Sequence, residues 1–353
     1  MTEDALALQP LNVWSLPRQE SRLRTIRRRV VSIPLFLLAL VAYTAISPAL
    51  YLVSFVVDIA LRRRLASVRA FAMVHVFLLC EAAGIFATAW IWLRHRGDRR
   101  AFLDANYALQ AWWAGTLYRA GVRLFSLNVE VEGGEAPAEG PVLVFARHVS
   151  PIDNLLPAVL VSVEHGIRLR WVINRSLLRD PCLDIVGNRL PNCFVANSSG
   201  DSDKEIRRVE ALGRELGPDD GVLIFPEGGL FSPTKRARVI ERLEAGGIEQ
   251  ELLEHARSLQ NLLPPRLGGS LALLDSASGV DAVFIAHTGL ESATRYQSIL
   301  GGQLIGSTVR IRMWRVPATK IPSTGGERIA WLYEQWHALD AWVTHNREGT
   351  PHA

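Results

Sequence analysis

Cysteine is scarce in this chain of 353 residues: Cys80, Cys182 and Cys193 form neither a CxxC pair nor an even-numbered framework. That pattern excludes a disulfide scaffold and fits reduced thiols in a cytosol-facing protein. Several catalytic signatures are missing too. The chain contains no HExxH zinc motif, no phosphate-binding P-loop, no dinucleotide fingerprint and no GxSxG nucleophile elbow. Internal repeats and low-complexity tracts are also missing.

The most telling absence is of charge. Val30 to Val57 runs for 28 residues without one charged side chain. A continuous helix of that length rises roughly 42 Å, more than the ~30 Å of a bilayer core requires. A second apolar run, Phe71 to Leu93, holds His75, Glu81 and Gly84. Arginine clusters flank both runs: "RLRTIRRRV" before, "LRRRLASVR" between and "RHRGDRR" after. The first run is too long for a signal-peptide core, and no small-residue cleavage pattern accompanies it.

Charge is also unevenly spread. Residues 1–100 carry 14 Lys/Arg against 6 Asp/Glu, net +8, whereas residues 101–353 carry 25 against 29, net −4. The basic residues therefore accompany the apolar runs, which points to anionic lipid headgroups as partners. Nucleic acid is excluded, because the C-terminal part lacks a basic face with stacking aromatics. The expected layout is a basic tail over 1–29, a membrane-anchoring helical segment over 30–100, a catalytic domain over 101–345 and a short tail over 346–353. Two topologies stay open. Two full spans would place "LRRRLASVR" across the bilayer from the other basic flanks, against the positive-inside rule. A bent, monotopic hairpin around Pro48 would keep every cluster at one headgroup surface.

After residue 100 the pattern changes. "ANYALQAWWAGTLYRAGVRLF" has helical apolar spacing, with Trp112 and Trp113 suited to a membrane boundary or to a core. "NVEVEG", "PVLVFA", "LRWVIN", "CFVAN", "GVLIF" and "VDAVFIAHTG" read as strands. Helical stretches separate them, including "PIDNLLPAVLVSVEHG" and "DKEIRRVEALGREL". "GERIAWLYEQWHALDAWV" reads as a helix near the end. Alternating strands and helices predict an α/β domain whose sheet is covered by helices; the sheet is expected to be mixed.

Within this pattern, "FARHVSPIDNLL" places His148 five residues before Asp153 at a strand-to-helix turn. One reading is purely structural: Ser150 caps the helix, Pro151 occupies its first position and Asp153 favours its positive end. The other is chemical. Across that turn Asp153 can orient the imidazole of His148 and leave its second nitrogen free as a base. An unperturbed histidine titrates near pH ~6.5, so such a base needs little tuning. A second feature, "GVLIFPEGG", is a buried strand running into Pro226-Glu227-Gly228-Gly229.

Taken in order, the apolar anchor, His-x4-Asp and Phe-Pro-Glu-Gly resemble the glycerolipid acyltransferase family, typified by 1-acylglycerol-3-phosphate acyltransferases. "LLPPRLGG", "VRIRMWRVPATKIP" and "WLYEQWHALD" are similar to its lysophospholipid and lysocardiolipin branch. The resemblance covers about residues 105 to 345. It implies acyl transfer from a thioester donor, acyl-CoA or acyl carrier protein, to a lysophospholipid hydroxyl, with no metal and no resident cofactor. His148 is then the base and Asp153 its orienter, while Glu227, Gly228 and Gly229 correspond to the acceptor-binding motif.

The chain departs from the family pattern at several places. Arg147 stands where asparagine is usual, Asn197 follows "FVA" where an arginine is common, and Gly229-Leu230 replace Thr-Arg. Lys235, Arg236 and Arg266 are the basic residues that could substitute at a phosphate, with Lys235 and Arg236 reading equally as a solvated charge cluster. The segment "FIAHTGLE" lacks the usual valine-proline pair, and His287 there is expected to pack at the sheet end. Two rival readings remain: a catalytically silent lipid-binding protein on the same fold, and a hydrolase in which the same base activates water.

Overall fold

The computed structural model describes residues 20–196 and 203–348. Three long helices come first: α1 (Arg22–Ala60), α2 (Ala66–His95) and α3 (Arg99–Phe125). Ser21 caps α1 and Asp98 caps α3, each side chain accepting a backbone N–H of the first turn. Pro34 and Pro48 both lie inside α1, which is assigned as helix throughout. Both α1 and α2 are long and apolar enough to cross a membrane.

Strands β1 (Asn128–Glu132), β2 (Val142–Ala146), β3 (Arg168–Asn174), β4 (Cys193–Val195), β5 (Asp220–Ile224), β6 (Asp281–Thr288) and β7 (Thr308–Val316) form one sheet. Its order is β1-β7-β6-β2-β5-β3-β4. All neighbours run parallel except β6 and β7, so the sheet is mixed. β2 lies between β5 and β6 and is buried at every position, which explains its unbroken apolar run. β7 is a strand beyond those expected. Its period is nonetheless plain: Val309, Ile311 and Met313 are buried while Arg310 and Arg312 pair with Glu130 and Glu132 of β1.

Helices cover both faces. On one side, the helix α4 starts at Leu155–Pro157 and continues as the wider turn Ala158–Val163, and α5 spans Pro181–Gly187. On the other lie α6 (Asp203–Leu212), α7 (Pro233–Ala245), α8 (Gln250–Ser258), α9 (Leu267–Ser276) and, after α10 (Tyr296–Leu300), the long α11 (Gly325–Glu348). Core side chains of α11, among them Leu332, Trp336 and Leu339, join Phe145 and Phe284 in one buried cluster.

The anchoring segment is not a separate body. Glu81 of α2 is fully buried, accepting from Trp113 Nε1 at 2.8 Å and from the backbone N–H of Cys182 at 3.1 Å. Asp184 of α5, also buried, receives Arg28 and Arg29 from the start of α1. At the other end of the hairpin, Arg64 donates to the Ile305 carbonyl at 3.2 Å, and Ala66 packs with Leu304 and Ile305. The start of α1, the turn between α1 and α2 and the middle of α2 are thus fastened to the α/β domain. The other face of α1 stays bare, with Leu35, Leu38, Val41 and Leu52 all exposed.

Candidate active site

The C-terminal ends of β2 and β5 lie side by side, and the turns after them meet. The first turn differs from the helix start expected at Ser150. Residues 151–154 form turns, helix begins only at Leu155, and Ser150 Oγ has no partner among the described residues. The reason is Asp153. Its Oδ2 accepts the N–H groups of Val149 at 2.6 Å and Ser150 at 2.7 Å, folding the chain back over the carboxylate.

Oδ1 of the same carboxylate lies 2.8 Å from His148 Nδ1. Since a carboxylate can only accept, Nδ1 carries the proton, and Nε2 is left without a protein partner among the described residues. The His148 side chain keeps 15% exposure, against 0% for Asp153. Its ring rests on Phe225 with centroids 4.4 Å apart.

Glu227 behaves differently from the acceptor-holding carboxylate the motif implied. It is buried, and both oxygens are occupied by backbone N–H groups: Oε1 by His148 at 2.7 Å and Oε2 by Leu263 at 2.9 Å. Burial raises its carboxyl to about 7, against the lowering effect of those two donors and of Arg147. The loop that supplies Leu263 is itself fixed by α11. Trp336 donates to the Leu263 carbonyl at 3.0 Å, and Asp340 accepts from Gln260 and Asn261 at 3.0 and 2.7 Å.

Gly228 and Gly229 carry φ of +61° and +156°, and a Cβ on either would collide with a cation. At Gly228 it would lie 2.3 Å from Arg266 Nε; at Gly229, 2.3 Å from Lys235 Nζ. The glycines thus admit both basic side chains to the turn. Arg266 has no hydrogen-bonded or ion-paired side-chain partner among the described residues. Lys235 reaches the Leu230 carbonyl at 3.4 Å, and burial together with Arg266 lowers its pKa. Arg236 is committed elsewhere, to the carbonyls of Leu259 and Arg257. Asn197 lies outside the described residues.

A cavity of about 340 Å³ opens beside this constellation. His148, Phe225, Gly228, Gly229 and Arg266 line one part of it. Elsewhere its wall is mainly apolar, with Leu109, Trp113, Trp171, Leu183 and Val186 from α3, β3 and α5. Glu227, Asp153 and Lys235 are not among the lining residues. Among the described residues no group of three or more His, Cys, Asp or Glu side chains could hold a metal ion.

Residues 128–261 match the family described as Acyltransferase. The chain is also similar to the crystal structure of the 1-acyl-sn-glycerophosphate (LPA) acyltransferase PlsC from Thermotoga maritima. Identity there is 17%, the TM-score is 0.49, and the match covers 82% of this chain and 97% of that one. No curated protein matches.

Sequence reasoning missed two members of the site. Arg147 was noted only as a departure from the family motif, yet its fully buried guanidinium pairs with Glu291 at 2.9 Å. Burial alone would raise Glu291, but the charge and hydrogen bond of Arg147 outweigh it and hold the carboxyl below its usual range. His287 does pack at the sheet end, but its Nε2 also stands 3.5 Å from Asp153 Oδ2. A histidine in an otherwise apolar strand was the signal available; its distance to Asp153 across 134 residues was not.

Proposed function

We propose that the acyltransferase domain moves a fatty acyl group from a thioester donor, acyl-CoA or acyl carrier protein, to a hydroxyl of a lysophospholipid or related glycerolipid. One observation carries the reading: a histidine oriented by a buried carboxylate, at an apolar cavity that also receives Arg266, with the second histidine nitrogen and the guanidinium both unpaired among the described residues. His148 Nε2 takes the proton of the acceptor hydroxyl as its oxygen attacks the thioester carbonyl. The C–O bond forms, the C–S bond breaks, and the imidazolium returns the proton to the departing sulfur. Asp153 holds the tautomer and stabilises the imidazolium. The apolar wall suits an acyl chain, and Arg266, with Lys235 behind Gly229, suits a phosphate headgroup. Glu227 serves as a positioning residue that holds the His148 backbone.

The same reading has α1 and α2 inserted in one leaflet rather than crossing the bilayer. At roughly 1.5 Å per residue α1 is about 58 Å long, and its start and the turn that follows it both contact the α/β domain. A hairpin tip on the far side of a bilayer would have to carry Leu304 and Ile305 with it. The arginines at both ends favour the cytoplasmic leaflet. Labelling of single exposed cysteines at positions 24 and 64 in sealed vesicles tests this; reaction from opposite sides overturns it.

The decisive assay uses purified protein, labelled oleoyl-CoA and a panel of lysophospholipids in vesicles. Transfer should fall by roughly 10²- to 10⁴-fold in His148→Ala with membrane binding unchanged. Undiminished transfer removes His148 from the mechanism. Fatty acid released faster than it is transferred would identify a hydrolase instead.

A further inference from the structure

The peptide joining Arg147 to His148 is gripped at both ends by buried side chains. Its N–H donates to Glu227 Oε1 at 2.7 Å, and its carbonyl accepts from His287 Nε2 at 3.1 Å. The tautomer of His287 follows from its neighbours. Both groups near Nε2, the Arg147 carbonyl and Asp153 Oδ2 at 3.5 Å, are acceptors, so Nε2 bears the proton. The contact is reciprocal, because the Arg147 guanidinium donates back to the His287 carbonyl. It is also anchored. The same guanidinium pairs with Glu291, whose other oxygen accepts from Gly289 N at 2.8 Å, and it reaches the Asn261 carbonyl at 3.4 Å.

We propose that His287 is a positioning residue for the His148–Asp153 pair, acting from behind it through the Nε2 proton. The proposal rests on the acyltransferase reading and adds a residue to it. The Nε2 proton holds the carbonyl side of the peptide that carries His148, opposite the Glu227 contact, and faces the oxygen of Asp153 that does not bond the imidazole. Loss of that donor lets the peptide rotate and tilts the ring, while the cavity and Arg266 stay as they are. The consequence falls on turnover, not on substrate affinity. A misplacement on the ångström scale at a reacting group costs up to about 10²-fold. Packing alone does not account for a histidine here. A buried imidazole leaves Nδ1 without a partner among the described residues, a cost an apolar side chain would avoid.

The test compares His287→Leu, which removes the donor at similar volume, with His287→Gln, whose amide nitrogen can occupy the place of Nε2. Oleoyl-CoA and the lysophospholipid best used by the unmodified chain serve as substrates. The leucine variant should lose about tenfold or more in kcat with KM for both substrates within about twofold. The glutamine variant should recover most of that loss. Unchanged kcat in a folded leucine variant overturns the proposal, and so does equal impairment of the two variants, which would indicate packing. If the leucine chain fails to fold, His287→Asn, too short to reach the carbonyl, replaces it with the same expectations. Absence of turnover by the unmodified chain would instead overturn the acyltransferase reading itself.

Discussion

The turns that follow β2 and β5 are neighbours, yet they are held in opposite ways. After β2, charge does the holding. Three successive N–H groups, those of His148, Val149 and Ser150, all end on buried carboxylates, Glu227 for the first and Asp153 for the others. After β5, glycine does it, and the cations admitted by Gly228 and Gly229 make no ion pair among the described residues. One turn is fixed so that a proton can be moved from a set position. The other keeps positive charge uncompensated, which is what an anionic ligand requires. Buried charge therefore belongs with orientation and unpaired charge with binding.

The largest test of that contrast is Asp153→Ala. It removes the orienter of His148 and leaves two buried N–H groups without an acceptor. We expect a loss of kcat near 10³-fold and a destabilisation of roughly 2 kcal/mol or more from the orphaned donors. Turnover assays and urea unfolding measure the two separately. An alanine variant with normal kcat would show that the first turn does not orient the base.

Glu227→Gln comes next. The amide presents one acceptor and one donor where two N–H groups now point, so one contact must break. A fall in kcat of about tenfold is expected, with little change in KM because the carboxylate does not line the cavity. A larger effect on acceptor KM would return Glu227 to the acceptor site. The variant also changes the pH dependence of stability. Burial raises the carboxyl from 4.5 to about 7, so between those values the folded chain holds a proton that the unfolded chain has released. The contribution of Glu227 to stability therefore falls as pH rises through that window and levels off above it. The slope, on the order of 3 kcal/mol in total, should be missing from unfolding curves of the glutamine variant.

How much of this was legible beforehand follows from the range of each interaction. Six strands and the His148–Asp153 pair were visible, because they depend on residues close in sequence and on period-2 or helical spacing. The helix start at Ser150 was not read correctly. Local capping rules favoured it, but Asp153 found better donors in the two N–H groups just upstream. β7 was visible as a motif match and not as a strand, although its alternation is clear once β1 and β6 flank it. Arg147, His287 and Glu291 could not be assembled at all. Arg147 meets His287 and Glu291 across 140 residues or more, and a spacing rule carries no information at that distance. The departure of Arg147 from the family asparagine carried no reading of its own, whereas the structure gives it a buried ion pair.

On the binding side, Arg266→Ala should raise KM for a phosphate-bearing acceptor about tenfold, the worth of one charge-assisted contact. Its kcat should stay within about threefold, since the base is untouched. Equal KM values for charged and uncharged lipid alcohols in the unmodified chain would remove the headgroup role from this turn.

Gly228→Ala should give the smallest effect and the sharpest distinction. The substitution places a side chain at φ +61°, which costs roughly 1–2 kcal/mol of backbone strain. Its Cβ must also displace Arg266, whose Nε would lie 2.3 Å away. We expect acceptor KM to rise about fivefold, a fraction of the full loss of the guanidinium. If glycine matters because it admits the arginine, the two changes act on one contact and cannot add. In an Arg266→Ala background, Gly228→Ala should then leave KM where the single arginine variant put it and lower only stability. A further rise in KM would mean that the glycine turn itself, through its backbone, touches the acceptor.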